Sequence, residues 1–203
     1  MAALLALETT AELCSVAIGN NEMVLEDTRL ASRLHNEIVL SMVDAVLSAS
    51  AIERDAVDCV AFSAGPGSFT GVRIAAGIAQ GIALAWDIPV CPVETSRAMA
   101  LSSLEQDRQL TEFATSRRSR RSLVYVAEFD ARSGDIIHTS KDQLIDENAF
   151  RARHRIVGDS QVALSARHVL RIAQREVGSW MHAEQGLPVY VEGDTPWRAT
   201  APQ

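Results

Sequence analysis

Apolar residues in the first half of the chain fall into short blocks with turn residues between them. Residues 4–8 form an apolar run closed by Glu8, and a polar turn follows at 9–12. A second run over 13–18 ends at Gly19-Asn20-Asn21. Two such runs around a turn predict a hairpin. Residues 23–30 read as a third strand. Beyond it Ile38, Met42, Val43, Val46 and Leu47 recur at helical spacing, which predicts an amphipathic helix up to about residue 51. Residues 57–63 are another apolar run, 64–68 a loop rich in glycine and proline, 70–85 a helix rich in alanine and glycine, and 90–93 a closing strand. This βββαβα order predicts an α/β protein with a mixed sheet and helices packed on it.

The second half repeats the theme less clearly, as a degraded second copy. Strands are expected at 123–129 and 136–139 around a turn at 130–135, then a strand at 155–157 and a long helix over about 161–181. Residues 187–192 read as a last short strand or an extended tail. The segment 105–121 is polar and ends in the basic run Thr115-Ser116-Arg117-Arg118-Ser119-Arg120-Arg121. It reads either as a solvated loop or as a site for RNA or an acidic partner. The expected organisation is one unit over 1–100 and a smaller one with a tail over 101–203.

Composition narrows the function. The 203 residues are 47% hydrophobic and 22% charged, the profile of a compact protein, with a net charge of −7 that disfavours independent wrapping of nucleic acid. Residues 1–100 hold 5 Arg and 12 acids, whereas residues 101–203 hold 14 basic and 14 acidic residues, so the excess charge belongs to the first half. Lys141 is the single lysine, which excludes a Gly-Lys-Ser/Thr phosphate loop. The apolar opening is closed at once by Glu8 and reads as a strand rather than a leader. No uninterrupted apolar stretch approaches the roughly 18 to 20 residues of a membrane span. Cys14, Cys59 and Cys91 sit in apolar contexts where a reduced thiol packs as a small hydrophobe, and a cytoplasmic location follows.

The densest chemistry lies in Gly65-Pro66-Gly67-Ser68-Phe69-Thr70-Gly71-Val72-Arg73, between a strand and a helix. Its glycines permit backbone angles closed to other residues, and Ser68 or Thr70 can cap the helix. The loop is open to two readings, a phosphate cradle at a helix start or a tight turn that brings the helix close to a neighbour. On that helix Gly71, Ala75, Ala79 and Ala83 fall at four-residue spacing, as do Gly77 and Gly81, a pattern that lets another backbone approach. The earlier helix opens with His35-Asn36-Glu37, where His35 or Asn36 can cap and Glu37 suits the positive end. Glu8-Thr9-Thr10 places an acid and two hydroxyls at the end of the first strand. No zinc-spaced His or Cys pair and no Gly-x-Ser-x-Gly elbow occurs, so neither a metal centre nor a serine hydrolase is expected.

Leu5-Ala6-Leu7-Glu8-Thr9-Thr10, the His35-Asn36-Glu37 helix start and above all residues 65–73 together resemble the bacterial TsaB family, also called YeaZ, of tRNA threonylcarbamoyladenosine biosynthesis. The resemblance covers residues 1 to about 100, with weaker support from Pro188-Val189-Tyr190-Val191 and Trp197. It implies an actin-like ATPase fold of two lobes. It also implies a non-catalytic subunit that pairs with the paralogue TsaD and, with the ATPase TsaE, serves modification of adenosine 37 in tRNAs reading codons that begin with A. The partner-binding residues it suggests are His35, Glu37, Ser68, Phe69, Thr70, Gly71, Val72, Arg73, Ala75 and Ala79. Glu8, Thr9, Thr10, Gly65 and Gly67 are the positions for any nucleotide. No resident cofactor is expected, ATP having a place only at the boundary of the complex. A homodimer is expected when the chain is alone, and tRNA is reached only through the complex. The sequence has Glu8 where the family usually has Asp, and Asn36 where it usually has Ser. The alternatives are an active ATP-dependent kinase or ATPase using Glu8 and the 67–71 loop, or a metallopeptidase, against which the missing ligand pair speaks.

Overall fold

In the computed structural model, which describes residues 2–31, 34–151 and 153–191, the apolar opening run becomes β1 (Ala3–Glu8), with all six residues buried. It sits at the centre of a sheet with β2 (Leu13–Gly19), β3 (Val24–Leu30), β4 (Val57–Gly65) and β5 (Val90–Glu94), in the order β3-β2-β1-β4-β5. The first three strands are antiparallel neighbours, whereas β4 runs parallel to β1 and β5 parallel to β4. The parallel pairings need crossovers, and α1 (His35–Ala49) and α2 (Phe69–Trp86) supply them. Both helices cover one face of the sheet, where Leu5, Leu7, Val16, Ile18 and Phe62 pack against Val39, Met42, Ala75 and Ala79.

The opposite face, carrying Leu4, Ala6, Ala17, Cys59, Ala61 and Cys91, is covered by α3 (Thr95–Gln106) and by a helix from the other end of the chain, α4 (Ala166–Arg175). The second sheet joins the same core. It consists of β6 (Glu112–Arg118), β7 (Leu123–Asp130), β8 (Ile137–Asp146) and β9 (Arg155–Gly158) in the order β8-β7-β6-β9, which repeats β3-β2-β1-β4 with β9 parallel to β6. Among the described residues no helix stands between β8 and β9 and no fifth strand follows. The fold is therefore the expected α/β, actin-like arrangement of two related lobes with the second pared down.

Two local expectations are corrected, and a third, open between strand and tail, is decided for the tail. The polar stretch 105–121 is not a loop, because residues 112–118 alternate in and out as β6, with Phe113, Thr115 and Arg117 facing inward. The Ser- and Ala-rich segment before it forms α3. The helix expected over 161–181 is only α4. Ser165 stands at its N-cap, and short 3-10 turns at Val177–Ser179 and Ala183–Gln185 follow it. Residues 187–191 form no strand, although Val189 N–H donates to Ala64 O at 2.8 Å and Met181 bridges Val90. The tail therefore straps the edge of the first sheet. Glu192 and Trp197 lie outside the described residues. By length and composition α2 passes as a membrane span, yet its alanine face is buried against the sheet, as in a core helix.

Candidate functional site

The ends of β1 and β4 meet at one edge of the first sheet, which brings Glu8, Thr9 and Thr10 beside residues 65–71. Glu8 is fully buried. It accepts from the Thr10 N–H at 2.5 Å, from Thr10 Oγ1 at 2.6 Å and from Ser63 Oγ. A buried carboxylate needs such donors, since an unpaired one costs several kcal/mol or more. Across the cleft Arg117 reaches in from β6. Its Nη1 donates to Thr10 Oγ1 at 2.9 Å and to Pro66 O at 3.2 Å, and its Nη2 donates to Thr10 O. Burial pushes the Arg117 pKa below its ordinary value, while Glu8 pushes it back up.

This geometry decides between the two readings of the glycine loop. The Thr10 and Pro66 carbonyls face the buried Arg117 guanidinium, which holds the loop from the second sheet. Gly67 is small because of that guanidinium, since a Cβ there would lie 2.7 Å from Arg117 Nη1. Gly65 has φ +113° and a Cβ there would stand 2.9 Å from Val189 O. The loop is thus a tight turn clamped by lobe two and the tail. The basic run is likewise divided: Arg117 is a buried strut, whereas Arg118 and Arg121 are exposed.

Beyond the turn, Ser68 caps α2 by accepting from the Gly71 N–H at 3.2 Å. A Cβ on Gly71 would lie 2.2 Å from Thr9 O, and Thr9 Oγ1 donates to Gly71 O at 2.7 Å, so the helix start is pressed against the end of β1. Gly71, Val72, Ala75 and Ala79 all face inward. They were expected to bind a partner; in the structure they are buried against the chain's own sheet and the end of β1. The outward stripe is the other one, where Cβ atoms on Gly77 and Gly81 would meet nothing within 4 Å. Phe69, Thr70 and Arg73 are exposed beside it, with Ile74 and Ile78 half-buried.

On α1, His35 is also turned in, with its Nε2 2.9 Å from Ala11 O, and it does not cap the helix; Leu34 stands at the N-cap. Glu37 is exposed, as are Leu34 and Leu40, two large apolar side chains that the sequence pattern did not single out. The outer surface of α1 and α2 exposes large apolar side chains at Leu34, Leu40 and Phe69, open glycines at Gly77 and Gly81, acids at Glu37 and Asp44, and one cation at Arg73.

Other polar clusters are built differently. A cleft of 590 Å³ between β8 and the tail is lined by Glu94, Lys141, Asp142 and Tyr190. Burial pushes Asp142 up to about 6 despite a 2.6 Å hydrogen bond from Ser96, while the His138 hydrogen bond holds Glu94 below its ordinary range. Ser165 Oγ lies 3.1 Å from His168 Nδ1, and His168 Nε2 lies 3.3 Å from Glu105, which is the order of a nucleophile relay. The amides at the start of α4 are already taken, however, Ala166 by Ser15 and Arg167 by Glu26, so they leave nothing to hold an oxyanion. Cys14, Cys59 and Cys91 are free and buried, and burial pushes Cys14 to about 11 and Cys91 to about 12, away from reactive thiolates. Among the described residues no group of three or more His, Cys, Asp or Glu is placed to hold a metal ion.

Comparison with known proteins places these features in a family. Residues 24–170 match the family model of TsaD, tRNA N6-adenosine threonylcarbamoyltransferase. The chain is 46% identical over 102 residues to the tRNA threonylcarbamoyladenosine biosynthesis protein TsaB of Haemophilus influenzae, covering 50% of this chain and 43% of that one. It is 34% identical over 142 residues to the Escherichia coli protein of the same name, covering 70% of this chain and 61% of that one. These matches span less than two thirds of either relative. The crystal structure of YeaZ from Pseudomonas aeruginosa superposes with a TM-score of 0.85 at 27% identity, covering 94% of this chain and 100% of that chain.

Proposed function

We propose that this chain, which belongs to the TsaB (YeaZ) family of tRNA threonylcarbamoyladenosine biosynthesis and is related to the TsaD transferases, is the non-catalytic subunit that docks a TsaD protein on the outer surface of α1 and α2. The observation that carries the reading is that surface: Leu34, Leu40 and Phe69 are 48%, 53% and 46% exposed on these two helices, and Gly77 and Gly81 of α2 have open space above them. Exposed apolar side chains on neighbouring helices mark contact sites, and bare glycines let a second helix come close. With TsaE the pair modifies adenosine 37 of tRNA, in the cytoplasm, and the same surface holds a homodimer when TsaD is absent. The acidic first half keeps the chain from binding tRNA by itself.

The Arg117 strut speaks against the alternative of an ATP-dependent kinase, because it ties the glycine loop and Thr10 to the second sheet through the chain's own side chain. Any nucleotide of the complex binds at its boundary. The test is reconstitution from purified chain, TsaD and TsaE, with adenosine modification as the readout. Activity is expected only when all three are present; full activity without this chain overturns the reading. A bulky side chain at the outward stripe, Gly77→Leu, should abolish pairing with no fall in melting temperature. Ala79→Leu should destabilise the lone chain by about 1 to 3 kcal/mol, because it overpacks the core.

A further inference from the structure

We propose that Arg73, held between Phe69 and Tyr190, is the receptor for a carboxylate of the docked protein partner, and that the tail segment carrying Tyr190 belongs to the docking surface. The proposal rests on the function proposed above. The Arg73 guanidinium carbon stands 3.3 Å from the centroid of the Phe69 ring and 5.1 Å from that of Tyr190, and its Nη1 donates to Phe69 O at 2.8 Å. With both rings against the guanidinium and only Nη1 turned back to Phe69 O among the described residues, its remaining N–H donors can take a planar anion in two hydrogen bonds. Among the described residues Arg73 has no ion-pair partner. The tail fixes Tyr190, since Val189 N–H donates to Ala64 O and the Val189 carbonyl closes over Gly65.

Charge selects the anion. Arg73 is the single charged residue of α2, and α1 carries Glu37 and Asp44 with no basic residue. A polyphosphate backbone would be repelled by this surface, whereas one carboxylate beside an apolar contact is complementary to it.

The experiment titrates TsaD into the full-length chain and its Arg73→Gln, Arg73→Lys and Tyr190→Ala variants by calorimetry, with melting curves as a control. Arg73→Gln should weaken binding about 30-fold, the factor that a 2 kcal/mol hot spot carries. Arg73→Lys should recover part of this loss, and Tyr190→Ala should weaken binding about threefold. Replacing partner carboxylates singly with amides should reveal one whose loss weakens wild type and leaves Arg73→Gln unaffected. If wild type binds and Arg73→Gln binds within twofold of it, or no carboxylate couples to Arg73, the proposal is overturned while the partner reading stands. If wild type does not bind TsaD, both fall. If Arg73→Gln instead removes an affinity of the isolated chain for tRNA, the anion is a phosphate and the proposal is overturned.

Discussion

The two sheets share a strand order but not a covering. The first is buried on both faces, by α1 and α2 on one side and α3 and α4 on the other. The second shares its inner face with the common core, but its outer face holds only Ala114, Val124 and Val126, with Ile145 and Phe150 over them. The comparison teaches that the strand plan survives without the helices that cover the first sheet. The outer sides of α1 and α2 exist because those helices cover the first sheet. The second lobe has no α1 counterpart among its described residues and builds no such surface.

Core truncations sharpen the contrast most. Phe62→Ala in the doubly covered sheet should cost about 3 to 5 kcal/mol and Val124→Ala on the sparsely covered face about 1 to 2 kcal/mol, measured by urea denaturation. Equal losses would break the comparison. Next comes the link between the lobes. Arg117→Ala removes the hydrogen bonds to Thr10 and leaves the Pro66 carbonyl without its donor, and should cost about 2 to 3 kcal/mol, whereas Arg118→Ala should stay within about 0.5 kcal/mol. Nearly equal values would mean that the strut does not hold the sheets together.

The smallest effect is a pH dependence at the cleft. Asp142 is raised from 3.8 to about 6, so its neutral form stabilises the fold fully below pH 3.8, and that stability is lost as pH rises through about 6. Glu94, held below its ordinary range, acts in the opposite sense: its contribution is present near neutral pH and is lost on acidification. Asp142→Asn should therefore remove the part of the stability loss that falls between about pH 4 and 6, seen in melting curves. An unchanged profile would remove Asp142 from the account of how the lobes meet.

The same difference in covering explains what could be read in the residues. Strands buried on both faces appear as apolar runs, so β1, β2 and β4 were legible, and α1 was legible from its helical spacing. The helix α3 was not, because it buries Ser96, Ala98, Ala100, Ser102 and Ser103, small residues that give no apolar period. β6 was hidden by an arginine at an inward position. At the site the turn over residues 65–68 and the Ser68 cap were readable from local chemistry. Which side of α2 faces out was not, because small residues recur at four-residue spacing on both sides of the helix. Ala75 and Ala79 were assigned to the partner face for that reason. Tyr190 reaches Arg73 through a contact distant in sequence that no local pattern encodes.

One consequence of the α4 placement concerns the order in which the molecule is made. The helices α1 and α2 are complete by Trp86, but the opposite face of their sheet, with Leu4, Ala6 and Cys59, is not sealed until α4 has been synthesised through Arg175. During translation the outer surface is therefore ready while the sheet behind it still lies open to water. A nascent chain would therefore have one side of its first sheet finished while the other waited for its last helix.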